Sequence, residues 1–155
     1  MEKQRTITTR IGRLVISLDK TIRFPRGLIG FEDLREFALV VYKPGTPFHF
    51  LQSMESPGMG MLLADPFPFL PDYALKLGAA DEKLLKMRSI RDLITLVTVS
   101  VPKGKPEDTT LNLVGPICIN VHERVGAQIP QVESGFPSKM YLRELGDPQP
   151  RSANS

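Results

Sequence analysis

The side chains able to do acid–base, metal or nucleophilic chemistry are few and scattered. His49 and His122 are the only histidines, and neither has a second ligand-type residue at a spacing that holds a metal. His122-Glu123-Arg124 falls in a predicted β-turn, outside the helical context that puts two ligands of a zinc motif on one face. Cys118 is the single cysteine, which excludes an internal disulfide and fits a reducing compartment. It stands in "GPICINV" among strand formers, where a small buried hydrophobe is the expected role. Asp65 and Asp72 form a carboxylate pair, but the proline-rich chain between them sets no catalytic separation. "GLIGFE" (27–32) carries the two glycines of a backbone-clamping loop. That clamp needs flanking helices, which Pro25 and the preceding strand deny, so a structural turn is expected. The sequence has no phosphate loop, nucleophile elbow or dinucleotide fingerprint. These residues argue against an enzyme and imply no metal and no cofactor.

Binding is the chemistry left to consider, and "ADPFPFLPDY" (64–73) is where it concentrates. Pro66, Pro68 and Pro71 fix φ and lack an N–H, so the stretch is neither helix interior nor central strand. An extended run along an edge is predicted, with Phe67 and Phe69 two apart on one face. Framed by Asp65 and Asp72, with Tyr73 as an amphipathic anchor, this is the composition of a binding hot spot. The phenylalanines equally suit a cap over the open end of a barrel. Asn112 and Asn120 lie in strands that otherwise disfavour Asn. They serve either as bulge-satisfying residues or as polar contacts on a binding edge.

The charge distribution points to the kind of partner. A formal charge of +3 suggests nucleic acid, but the bases and acids are segregated. Residues 1–26 carry seven Lys/Arg against two acids, and 74–106 carry seven against three. Residues 27–73 carry six acids (Glu32, Asp33, Glu36, Glu55, Asp65, Asp72) against Arg35 and Lys43. That acidic block also holds most of the phenylalanines, whereas a nucleic-acid surface interleaves aromatics with bases. A protein partner and no direct nucleic acid are therefore expected.

The elements that must position these residues read as mostly β. Period-2 or β-branched runs predict strands over Gly12–Leu18, Thr21–Phe24, Glu36–Lys43, Phe48–Met54, Gly58–Asp65, Leu93–Val101, Thr110–Val121 and Val125–Val132. A bulge or bend is expected at Gly115-Pro116. Helix signals are limited to Asp81–Met87, a turn over Ser89–Leu93 capped by Ser89, and a turn within "FEDLREF" after Gly30. Short strands at turn spacings of about 8–12 residues make an all-β, mainly antiparallel, barrel-like fold with one or two short helices. The expected organisation is one domain over 1–145 and a loose tail over 146–155. No run reaches the ~20 apolar residues of a membrane span, and the polar opening stretch lacks a secretory apolar core.

Together, "FPRGLIGFEDLREFAL" (24–39), "FHFLQSMESPGMGMLLADPFPFLPDYAL" (48–75), "ITLVTVSVP" (94–102) and "TTLNLVGPICINVHERVGAQI" (109–129) resemble the flagellar assembly factor FliW family. The resemblance runs in order from about residue 6 to 136. It implies a small, barrel-like, cytoplasmic, non-catalytic protein that is monomeric by itself. It implies binding to CsrA, a dimeric RNA-binding translational repressor, and to flagellin, so that free flagellin releases CsrA. Two other readings stay open at this point, a flagellin chaperone without CsrA control and a small RNA-binding barrel.

Overall fold

The computed structural model describes residues 3–148. Ten strands run in the order β1 (Gln4–Thr9), β2 (Gly12–Ser17), β3 (Ile22–Arg23), β4 (Glu36–Val41), β5 (Phe48–Ser53), β6 (Gly60–Ala64), β7 (Leu93–Ser100), β8 (Thr110–Asn120), β9 (Val125–Gln128) and β10 (Met140–Tyr141). One helix, α1 (Ala79–Leu84), lies between β6 and β7.

β3 to β9 close into a seven-stranded barrel. Each neighbour is antiparallel until β9, which pairs with β8 and closes on β3 through a short parallel contact, Arg23 opposite Val125. Closure leaves no exposed edge within the ring. Side chains alternate across the wall. Phe37, Leu51, Leu63, Leu96, Ile117 and Ile119 point inward and pack with Ile22, Phe24 and Leu28. Their neighbours point outward, and three separate covers bury them. The β1–β2 hairpin lays Ile7 and Ile16 on Ala38 and Met54. α1 and the chain before it place Leu85, Leu75 and Leu77 on Cys118, Ala127 and Ile129. The proline-rich segment and the C-terminal part cover Ala64, Val97, Leu111 and Leu113.

The expected bend in β8 is present. Leu96 pairs with Ile117 and Thr98 with Asn112, so the stretch Leu113–Pro116 opposes Val97 alone. The bend turns the first half of β8 toward β10 and the second half toward β9. The Ser89-capped turn is also found, with Asp92 accepting from the backbone N–H of Ser89 at 3.1 Å. α1 starts two residues earlier than expected and stops at Leu85, because Lys86 takes a positive φ of 52°.

Three expectations are corrected. Within "FEDLREF" a single hydrogen-bonded turn forms, the Phe31 carbonyl accepting from the Leu34 N–H at 3.1 Å, but it does not continue as a helix, and Leu28 and Phe31 bridge in antiparallel fashion just before it. β1 and β10 carry no strand signal in the sequence, since β1 buries only Ile7 among its Arg and Thr residues and β10 is two residues long. "DPFPFLPDY" is not extended. Asp65 accepts from the Phe67 N–H at 3.1 Å, and the Pro66 carbonyl accepts from Phe69 and Leu70. The proline φ also suits such turns, and these local bonds coil the segment into successive turns. The expected tail from 146 lies, from 149 onward, outside the described residues.

Candidate functional site

The coiled proline segment brings Asp65, Phe67, Phe69 and Tyr73 together against the outer barrel wall, rather than over its mouth. Ala64 and Val97 beneath it are one residue out of phase with the inward-facing Leu63 and Leu96, which fixes the face. Phe67 meets Tyr73 at 6.0 Å between ring centroids, and Phe69 meets Phe48 at 6.3 Å. Tyr73 is buried, and its hydroxyl donates to the Leu113 carbonyl at 2.7 Å. Burial pushes its phenol up to about 12. Tyr73 is thus a core residue and not the exposed anchor its sequence context implied. Asp65 is buried too, committed to the turn. Asp72 stands exposed. Phe69 keeps a half-exposed edge on a groove of about 460 Å³ that it shares with Phe48, Leu142, Arg143 and Leu145.

The asparagines take structural roles. The Asn112 side-chain oxygen accepts from the Val114 N–H at 3.1 Å, inside the β8 bulge. Asn120 is buried, and its Nδ2 donates to the Leu85 carbonyl at 2.9 Å while its oxygen accepts from the Glu123 N–H at 3.3 Å. It therefore ties the end of α1 to the β8–β9 turn. Cys118 is buried under α1, and desolvation pushes its thiol up to about 12, the range of an unreactive thiol. His49 is half-buried, and burial lowers its pKa against a smaller opposing pull from Asp65. Among the described residues no three of His, Cys, Asp or Glu are placed to hold a metal.

A surface that the sequence reading did not single out lies in the β3–β4 connection. Leu28 is locked into the barrel core, while Ile29 and Phe31 on either side of Gly30 are 62% and 45% exposed. Gly27 makes this fold-back possible. Its φ is +66°, and a Cβ there would sit 2.5 Å from the Glu32 backbone. The Ile29 N–H donates to Gln128 Oε1 at 2.9 Å, and the Gly30 N–H to Glu32 Oε1 at 3.1 Å, so the loop is held from both sides. Glu55, from the β5–β6 turn, accepts from the Arg35 and Glu36 N–H groups at 2.7 and 2.8 Å. Glu32, Asp33, Glu36 and Glu55 are all exposed, and none is in an ion pair with a described residue. Two apolar side chains thus share this loop with Glu32 and Asp33, while Glu36 lies opposite Arg23 in the β3–β4 pair and Glu55 follows Met54, whose carbonyl Arg5 holds at 2.7 Å. The acidic block and the paired glycines were visible in sequence; the outward turn of Ile29 and Phe31 was not.

A closed seven-stranded β-barrel, with its outer wall covered by a hairpin, a helix and a coiled proline-rich segment, defines a protein of the small all-β barrel class. Comparison with known proteins gives the particular family. The family model described as FliW protein matches residues 5–142, and the chain belongs to that family. It is 52% identical to the flagellar assembly factor FliW of Nitratidesulfovibrio vulgaris (strain DP4) over 136 residues, 88% of this chain and 79% of that one. It is 44% identical to the corresponding protein of Desulfovibrio desulfuricans over 145 residues, 92% and 87% of the two chains. A crystal structure of the flagellar assembly factor FliW superposes with a TM-score of 0.81 at 31% identity, covering 96% of this chain and 100% of that one. The chain is therefore a flagellar assembly factor of the FliW type. No helix among the described residues is long and apolar enough to cross a membrane.

Proposed function

We propose that this protein is a non-catalytic, cytoplasmic partner switch that binds CsrA, relieves its repression of flagellin translation, and exchanges CsrA for flagellin. Family membership supports the biological setting. The observation that carries the physical reading is the exposed Ile29–Phe31 edge with Glu32 and Asp33 beside it. CsrA binds RNA and so presents basic surface. An acidic rim around an apolar contact complements such a partner and raises the association rate. A Debye length of ~8 Å at physiological salt makes this local block matter more than the net charge of +3. Asp72, Phe67 and Phe69 remain the part of the originally expected surface that is open to a partner, and the groove beside Phe69 is a second apolar contact for flagellin.

Calorimetric titration with purified CsrA, paired with thermal melts, tests the reading. Phe31→Ala is expected to weaken CsrA binding by roughly tenfold or more with the melt nearly kept, as for a truncated aromatic hot spot. Glu32→Lys combined with Asp33→Lys should slow association and flatten its salt dependence. Unchanged affinity in both variants, with intact melts, would remove this face from the interface.

A further inference from the structure

The β1–β2 hairpin stands outside the barrel as a two-stranded sheet, so each of its strands has a second edge. The bond pattern fixes which groups face those edges. Leu18 N–H donates to the Lys3 carbonyl at 2.9 Å, and the register pairs Gln4 with Ser17 and Thr9 with Gly12. In an antiparallel pair, bonded and non-bonded positions alternate. Lys3, Arg5, Ile7 and Thr9 therefore bond toward β2, and the backbone groups of Gln4, Thr6 and Thr8 point away from it. No hydrogen bond to a described residue satisfies the backbone of Gln4, Thr6 or Thr8. All three side chains are exposed. The strand is rich in β-branched threonine and has no proline or bulge to blunt the edge.

The charge around the edge selects an occupant. Lys3, Arg5, Arg10, Arg13 and Lys20 surround the hairpin against Asp19 alone among residues 3–20. Arg5 and Arg10 donate to carbonyls, of Met54 at 2.7 Å and Gly60 at 3.0 Å, and neither is in an ion pair with a described residue. Like charges disfavour a second copy of the hairpin as the added strand. Arg5 shares the barrel-facing side of β1 with Ile7, while Thr6 and Thr8 face outward beside Val15, which is 62% exposed.

We propose that the free edge of β1 accepts an extended, acidic segment of a partner protein as a third strand. The added strand would carry Asp or Glu on the barrel-facing side, toward Arg5 and Arg10, and β-branched residues on the outer side, beside Thr6 and Thr8. Main-chain bonds supply the affinity and the alternating side chains the selectivity. The proposal concerns the backbone edge of β1 and is tested with no CsrA present, so it stands or falls independently of CsrA binding.

A capped Glu-Val repeat peptide of about ten residues, a full strand length, serves as the probe, with a Lys-Val repeat as control. Both are titrated into isotope-labelled full-length protein, with amide exchange read by NMR. Protection is expected at Gln4, Thr6 and Thr8 with the acidic peptide only, weakening as salt rises. Thr6→Pro deletes one outward N–H without touching a bond to β2, and should weaken binding roughly tenfold, the upper range for one lost ladder bond. Thr6→Val and, on the opposite edge, Val15→Pro should bind as the parent does. Protection at Arg13 and Val15 instead, equal protection by both peptides, binding that survives Thr6→Pro in a folded protein, or no protection at all would each overturn the proposal.

Discussion

At the scale of single residues, burial decided what each polar group does. Tyr73 and Cys118 both lie on the outer wall of the barrel, under different covers, and desolvation raises each to about 12 from ordinary values of 10.0 and 9.0. Both groups keep in the folded chain a proton that the unfolded chain gives up first. Between about pH 9 and 12 the native state binds more protons, so stability is complete below that window and falls as pH rises through it. Thermal midpoints measured from pH 8 to 11 should therefore decline above about pH 9. Cys118→Ala and Tyr73→Phe should each flatten that decline, while Tyr73→Phe lowers the neutral-pH stability by about 1–2 kcal/mol because the Leu113 carbonyl loses its buried donor. An unchanged alkaline slope in both variants would mean that other groups govern it.

The proline segment shows the same logic at the scale of an element. Its three prolines bar helix interior and central strand, yet they do not dictate extension, because Asp65 and the Pro66 carbonyl offer nearby acceptors that close turns. Once coiled, the segment buries its aromatics on the outer wall as a cover for Ala64, Val97, Leu111 and Leu113. Phe69→Ala should consequently cost about 2 kcal/mol of stability, less than the ~3–5 kcal/mol of a fully buried ring because one edge is open to the groove. Asp72→Lys, at an exposed turn, should stay within ~0.5 kcal/mol of the parent. Denaturant melts of the two variants check this. Phe69→Ala melting like the parent would make that ring an interface residue instead of a packing one.

At the scale of the whole molecule, the charges are segregated along the chain, and contacts such as Arg26–Asp81 join basic and acidic stretches in space. The hairpin and the stretch around α1 carry the bases, and the β3–β4 loop with the β5–β6 turn carries the acids. Phe31 stands among carboxylates, whereas Phe24, Phe37 and Phe50 are buried, so those basic regions gain no stacking platform from them. A gel shift with the flagellin leader RNA and this protein alone, at physiological salt, should show no specific complex. A salt-sensitive specific complex would restore the small RNA-binding barrel as the function.

The positions of β2 to β9, the β8 bend at Gly115-Pro116 and the Ser89 cap were all legible in the sequence. They depend on local properties: period-2 alternation, the proline and glycine dihedrals, and a hydroxyl next to a free N–H. The acidic character of residues 27–73 was legible for the same reason, since charge is counted without coordinates. Which of those acids face solvent together was not. Glu55 joins Glu32, Asp33 and Glu36 only because the β5–β6 turn folds onto the loop through bonds to Arg35 and Glu36, residues about twenty positions away. Tyr73 left the surface through a contact still more distant, its hydroxyl reaching Leu113 forty positions on. Amino-acid type set what each side chain is able to do. The closure of the barrel, and the three covers laid on its outer wall, decided which of them water and a partner can reach.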